Sequence, residues 1–295
     1  MGEHEWLAER FEANRPRLRA VAYRMLGSLS EADDAVQEAW LRASRAGAIG
    51  VENMGGWLTT IVARVCLNML QSRKSKREEP LDVRVPDPVV SRPDGTDPEH
   101  EALLADSVGL ALLVVLETLQ PAERLAFVLH DVFAVPFKDI APIVERSPTA
   151  ARQLASRARR RVQGATPIPD PDLNRQREVV DAFAKAARAG DFEGLLAVLD
   201  PNVILRADGG KVLPRVSTVL RGAAAVAGQA LTYSGAARFT RPVLVNGAPG
   251  FVVFARGEPF AVGGFTVKDG KIVEMDILAD PERLRKLDLS FLDQE

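Results

Sequence analysis

"ERSPTAARQLASRARRRV", residues 145–162, carries six arginines and, after Glu145, no acidic residue until Asp170. Projected at about 100° per residue, Ala151, Leu154, Ala155, Ala158 and Val162 fall on one side of a helix. Thr149, Arg152, Gln153, Ser156, Arg157 and Arg160 fall on the other. Small apolar residues on one side allow close packing, while the other side presents long cationic and amide groups. Pro136 to Val144 reads as a short preceding helix, and the tight "ERSP" connection gives helix–turn–helix spacing. Arginine and glutamine can each make paired hydrogen bonds to base edges in a major groove, and further arginines neutralise phosphates. The plain alternative is a solvated basic face, but such faces normally mix signs and this one does not. The stretch reads as a DNA-recognition helix.

The rest of the chain does not share that charge. Its 295 residues have a formal net charge of −2, so the basic helix is a local electrostatic footprint. The length favours two or three domains, and 46% hydrophobic residues can supply a core to each. A single cysteine, Cys66, excludes an internal disulfide and fits a reducing compartment. With only His4, His100 and His130 beside it, no metal site or cofactor is expected. The charged N-terminus has no apolar signal core. The longest apolar run, Val108 to Leu116, is about half of what spans a bilayer. A cytoplasmic protein with no membrane partner is expected.

The chain divides into sections. Residues 1–75 read as helices: Leu18, Val21, Ala22, Met25 and Leu26 keep the helical period until Gly27. Ser30 to Asp33 reads as a capping box opening a second helix that contains Trp40. A third, Trp57 to Leu70, has Leu58, Ile61, Val62, Val65 and Met69 as its apolar stripe. Residues 76–105, including "REEPLDVRVPDPVVSRPDGTDPEHE", hold five prolines and little periodicity, which predicts an extended linker with little to pack against. Residues 106–165 are helical again, with Pro121 at the first turn of one helix. Beyond the proline-rich joint "GATPIPDPD", helices at 174–189 and 191–199 precede runs at 203–207, 239–245, 251–255, 260–267 and 272–277. Asp269-Gly270 is a strong hairpin signal, and the order predicts an α+β domain over 173–288 with an antiparallel sheet.

In "SEADDAVQEAWLRA", Glu31, Asp34, Gln37, Glu38 and Leu41 share one face, opposite Ala32, Val36, Ala39 and Trp40. Acids and an amide displayed together suit docking onto a basic protein surface, and an ordinary exposed helix face is the alternative. "WLTTIVARVCLNMLQSRKSKREE" sets Thr60, Arg64 and Asn68 off its core and ends in Arg73, Lys74, Lys76 and Arg77, a second cationic segment. These two stretches, with residues 119–162, resemble regions 2 and 4 of a bacterial extracytoplasmic-function sigma factor, over nearly all of residues 10–163. The resemblance implies two all-α domains, a region 2 bundle at 1–75 and a region 4 helix–turn–helix at 106–165. It implies that Glu31, Asp34, Gln37, Glu38 and Leu41 bind the clamp coiled coil of core RNA polymerase, with the flap as a further contact. Arg64, Asn68, Arg73 and Lys74 would meet the minus-10 element. Many such factors carry a base-reading asparagine at the position that is Arg64 here. Thr149, Arg152, Gln153, Ser156, Arg157 and Arg160 would meet the minus-35 element, and the linker would thread through the polymerase.

The last 130 or so residues resemble the SnoaL-like fold, a cone of helices on a curved antiparallel sheet, which one sigma subgroup carries at its C-terminus. The subgroup's marks read here as "DGGK" (Asp208, Gly209, Gly210, Lys211) and "DPERL" (Asp280, Pro281 and onward). The expectation is that these residues bond across a domain junction and regulate the sigma core in cis. Asp208 is the one obvious acid/base candidate, and no histidine follows residue 173, so no catalytic residue is assigned. A small-ligand sensor is a second role for the domain. For the whole chain a promoter-specificity subunit is expected. The rivals are a one-component DNA-binding regulator and a cyclase-like enzyme fused to a DNA-binding module.

Overall fold

The computed structural model describes residues 3–76, 84–93, 109–165, 167–237 and 239–294. They belong to two compact units: Met1–Pro80 with Glu101–Asp106 and Val115–Ala165, and Leu81–His100 with Ser107–Val114 and Thr166–Glu295. The expected segments 77–83 and 94–108, at the two ends of the linker and the start of region 4, lie outside the described residues.

In the first unit, α1 (Glu3–Leu26) stops at Gly27, whose φ of 66° is left-handed. Helix α2 (Leu29–Ala46) is capped by Ser28, whose Oγ accepts the Glu31 N–H at 3.5 Å. Ser28 is therefore the N-cap, and the box expected at 30–33 starts two residues later, inside the helix. Helix α3 (Met54–Lys76) packs Leu58, Val62 and Val65 against Leu18, Met25 and Val36, all buried. Trp40 closes this bundle edge-on to Phe11, ring centres 5.1 Å apart.

Helices α4 (Leu110–Glu117), α5 (Pro121–Phe127, running into a π-helical turn at Val128–Val132), α6 (Phe137–Ile140) and α7 (Pro148–Ala165) follow. The helix expected over 136–144 is one turn, because the chain passes into turns that lead to Glu145 at φ 53°. Arg124 on α5 is 2% exposed. Its Nε and Nη2 donate to the Arg24 carbonyl, each at 3.2 Å. That carbonyl is among the last four of α1, which have no partner within their own helix. A cation on α5 thus completes α1.

The second unit is built on a seven-stranded sheet in the order β1-β4-β5-β6-β7-β2-β3. The strands are β1 (Val90–Ser91), β2 (Leu199–Asp208), β3 (Thr218–Arg221), β4 (Thr240–Val245), β5 (Ala248–Ala255), β6 (Glu258–Lys268) and β7 (Lys271–Leu278). Helices α8 (Leu173–Ala189), α9 (Phe192–Val198) and α10 (Ala223–Thr232) close on the sheet around Phe183, Leu195, Leu205, Val226, Phe265 and Met275, and a single turn, α11 (Ser234–Ala237), follows α10. Register shifts in the β2–β7, β5–β6 and β6–β7 pairings bend the strands into a curved sheet under the helices. The sheet is mixed rather than wholly antiparallel, since β2 pairs with β7 in parallel.

Three hairpins turn on two-residue loops with both φ values positive: Asn246-Gly247, Arg256-Gly257 and Asp269-Gly270. The Asp170 carboxylate accepts the Asp269 and Gly270 N–H groups at 2.9 Å each. Those bonds, Gly270 first, hold its carboxyl below the usual carboxylate range and pin the joint to the domain. No helix among the described residues is long and apolar enough to cross a membrane.

Candidate functional site

The expectation of a linker with little to pack against is overturned for residues 84–93. Val85, Asp87, Val89, Val90 and Ser91 are buried, and β1 adds an edge strand to β4, with Val90 opposite Val245. Backbone groups of a buried segment need partners, and two side chains supply them. The Val85 N–H donates to Asp208 Oδ2 at 3.0 Å, and the Val89 N–H to Asn246 Oδ1 at 3.1 Å. Asn246 returns a bond from its own N–H to the Val89 carbonyl at 2.8 Å. Pro86 and Pro88 need no partner for a donor they lack.

Both subgroup marks converge on this segment. Arg283 donates from Nη1 to Asp208 Oδ2 (2.8 Å), from Nε to Asp87 Oδ1 (2.6 Å) and from Nη2 to the Val85 carbonyl (2.5 Å). It is held there by α12 (Pro281–Leu284), with Pro281 in the first turn and Asp280 as N-cap, accepting from the Glu282 and Arg283 N–H groups. The glycines make room. A methyl group on Gly210, at φ 61°, would lie 2.0 Å from Asp280 Oδ2, and one on Gly209 would lie 2.2 Å from the Leu213 carbonyl. Asp208 also accepts the Gly210 N–H at 3.0 Å. Lys211 is exposed and bonds to none of the described residues, contrary to its expected role. Arg283, Asp87 and Asn246 are the clamp residues that sequence reasoning missed.

On α7 the projection holds in space. Ala151, Ala155 and Ala158 are buried, and Thr149, Arg152, Gln153, Ser156, Arg157 and Arg160 are exposed. The six arginines of the stretch are not equivalent, however. Arg157 and Arg161 each bond one oxygen of buried Glu123 at 3.0 Å, and Arg159 pairs with Asp131. Arg152 lies 5.5 Å over the Phe137 ring. Arg160 has no ion pair among the described residues. Beyond Glu145 the stretch has no acid of its own, and α5 with the turn after it supplies Glu123 and Asp131.

On α2, Asp34 and Gln37 are exposed, Leu41 is 41% exposed, and Glu38 pairs with Arg42 at 2.8 Å. Glu31 instead pairs with Arg73, which also donates to the Leu26 carbonyl at 3.2 Å. These two therefore lock α3 to the α1–α2 corner, and neither is displayed like its neighbours. Arg64 and Asn68 are exposed on α3, and Arg64 reaches the Pro142 carbonyl at 3.4 Å. Lys74 lies on α3, and its side chain is outside the description. Between the two sets of helices runs a cleft of about 550 Å³, lined by Asn14, Arg17, Trp57, Thr60, Phe133 and Lys138 among others.

The cone holds a smaller, apolar pocket of about 120 Å³ between α8, α10 and the sheet. Asp208 is not in its wall, nor is any charged residue among those described. In the same domain, Arg206 bonds Glu274 and Asp276, each at 3.0 Å. One cation serves two buried carboxylates, and burial pushes Asp276 up to about 6.

The Sigma-70 region 2 model matches residues 10–76, and the Sigma-70 region 4 model matches 109–162. The chain is 37% identical over 291 residues to the ECF RNA polymerase sigma factor SigJ of Mycobacterium tuberculosis, covering 92% of this chain and 91% of that one. It is 33% identical over 288 residues to the probable ECF RNA polymerase sigma factor SigI of the same species, covering 97% and 98%. The crystal structure of SigJ superposes with a TM-score of 0.77 at 35% identity, over 96% of this chain and 99% of that one.

Proposed function

The chain belongs to the extracytoplasmic-function RNA polymerase sigma factors, and from that premise we propose how it directs the polymerase and how its third domain restrains it. The α2 face of Asp34, Gln37, Glu38 and Leu41 docks on the clamp coiled coil, and the flap contacts region 4. Arg64 and Asn68 meet the minus-10 element. On α7, Arg152 and Gln153 read the minus-35 element, flanked by Thr149, Ser156 and Arg157, while Arg160 binds phosphate. Arg73, tied to Glu31, supports the fold beneath this surface. The protein acts in the cytoplasm and without catalysis of its own, because the one candidate acid, Asp208, is spent on a backbone amide and an arginine.

The observation that carries the regulatory reading is the clamp on residues 84–93. A sigma linker must lie along the polymerase to work, and this one cannot do so while it is a strand of the third domain. Regions 2 and 4 meanwhile bond to each other through Arg124 and the Arg24 carbonyl. Two readers in contact cannot sit on two separated DNA elements. The observed state is therefore closed, and polymerase must bind an open one better to shift the balance. The test is run-off transcription with purified core polymerase, comparing the wild type with Arg283→Ala and Asp208→Ala at matched concentration. Higher transcription from the variants is expected, and unchanged or lower transcription refutes restraint by the clamp. Tight sequence-specific DNA binding without polymerase would instead support a one-component regulator.

A further inference from the structure

The apolar pocket in the cone stands directly behind the clamp. Its wall includes Ala207, the neighbour of clamp residue Asp208, and Ala279, the neighbour of the α12 cap Asp280. It also includes Val216, whose Cβ would lie 2.9 Å from a methyl group on Gly209. We propose that this pocket is a binding site for a small neutral aromatic molecule with one hydrogen-bonding group, and that its occupancy holds the linker in the clamp. The second half of the proposal rests on the regulatory reading above; the first does not.

Size, polarity and linkage set the terms. An engineered cavity of about 150 Å³ lined by aliphatic and aromatic side chains stays dry and takes up benzene. At about 120 Å³ this pocket is in the same range and holds roughly one ring. Phe183, Phe251 and Phe260 line it with aliphatic residues, which suits edge and face contacts with a further ring. The polar side chains in the wall are Gln229, Tyr233 and Thr240, the first two one helical turn apart. With no charged wall residue described, a charged ligand would be desolvated without a counter-ion. A ligand that binds the pocket more tightly in the clamped state than in the open one shifts the balance towards the clamp, because binding and clamping are linked reciprocally.

The experiment uses the full-length protein without polymerase, with phenol and benzene as neutral probes and benzoate as the charged control. Saturable phenol and benzene binding by calorimetry is expected, with none for benzoate. Tyr233→Phe should weaken phenol about fivefold, as for one net hydrogen bond, and leave benzene unchanged. Ala184→Leu and Ala230→Leu, at half-buried wall positions, should each abolish binding by filling the space. Two such variants are made so that one failing to fold, by circular dichroism, still leaves the other. Phenol should slow tryptic cleavage after Arg84, in the clamped segment. Absent binding, binding that survives the filling variants, or preferential benzoate binding overturns the site. Binding with unchanged or faster cleavage overturns the coupling alone. Neither result touches the sigma-factor reading, which the transcription assay tests separately.

Discussion

Replacing Arg283 by alanine should release the linker while sparing the domain that holds it. The guanidinium contacts Asp208, Asp87 and the Val85 carbonyl at 2.5–2.8 Å, and it is 19% exposed by side chain, against 7% and 8% for the two carboxylates. Its removal takes the shared guanidinium away from two largely buried carboxylates. Deleting one partner of a buried pair costs about 3–5 kcal/mol. The partial exposure of Arg283 places this case at the lower end, about 3 kcal/mol or two orders of magnitude in an equilibrium constant. The loss falls on docking of 84–93, because Asp208 and Arg283 bond that segment directly at Val85 and Asp87. Native-state amide hydrogen exchange can resolve this. Protection of the Val85 and Val89 amides should drop about a hundredfold, while amides of the β5–β6 pairing keep theirs. Equal loss across the sheet would mean that Arg283 supports the fold at large. No loss at Val85 would mean that the clamp contributes nothing to holding the linker, and the regulatory argument would fail with it.

Reversing charge at Asp34 and Glu38 should weaken core polymerase binding with under about 0.5 kcal/mol lost in stability, read by affinity and thermal melting; unchanged affinity removes α2 as the docking face. Glu31→Lys should behave differently, lowering the melting temperature by breaking the tie to Arg73. Arg152→Ala or Gln153→Ala should relax minus-35 preference by about 1–3 kcal/mol, whereas Arg160→Ala should weaken all promoters alike and flatten the salt dependence. Sequence-independent losses at all three would mean that α7 reads no bases. For Asp276, the folded-state value of about 6 exceeds the ordinary 3.8, so the folded state holds the proton more tightly. Its contribution is complete below the unfolded value and disappears as pH rises through about 6. The melting temperature of the wild type relative to Asp276→Asn should therefore fall between pH 4 and 6, and parallel pH profiles would contradict it.

Much of this was legible where a local rule acts alone. The face division of α7 follows from the helical period, and the Asp269-Gly270 turn follows from residues that accept positive φ. Strands β2 and β4 to β7 coincide with apolar runs in the sequence, whereas β3 (Thr218–Arg221) has none that stands out. What escaped depended on partners distant in sequence. Val90 and Ser91 form a strand only because β4 offers an edge 150 or so residues later. Asp87 looks like linker charge until Arg283 is placed beside it. The parallel β2–β7 pair carries no spacing signal, since its strands are joined by the whole intervening domain. On α7 the pattern separated inside from outside, but it could not tell an arginine open to solvent from one engaged by Glu123. The N-cap was misplaced by two residues because Ser28 and Ser30 offer competing starts.

The clamp also has a place in time. A chain is made from its N-terminus, and α7 is finished at Ala165, whereas Arg283 comes about 120 residues later. At about 5–20 residues per second, that interval is about 6–24 s. Both promoter readers thus leave the ribosome before the arginine that fastens their connecting strand exists. Under the restraint proposed above, every new molecule is for those seconds an unfastened sigma factor, restrained only as synthesis ends. A nascent chain that meets polymerase in that interval escapes the control its completed siblings obey, so slow translation of residues 166–283 would by itself raise promoter firing.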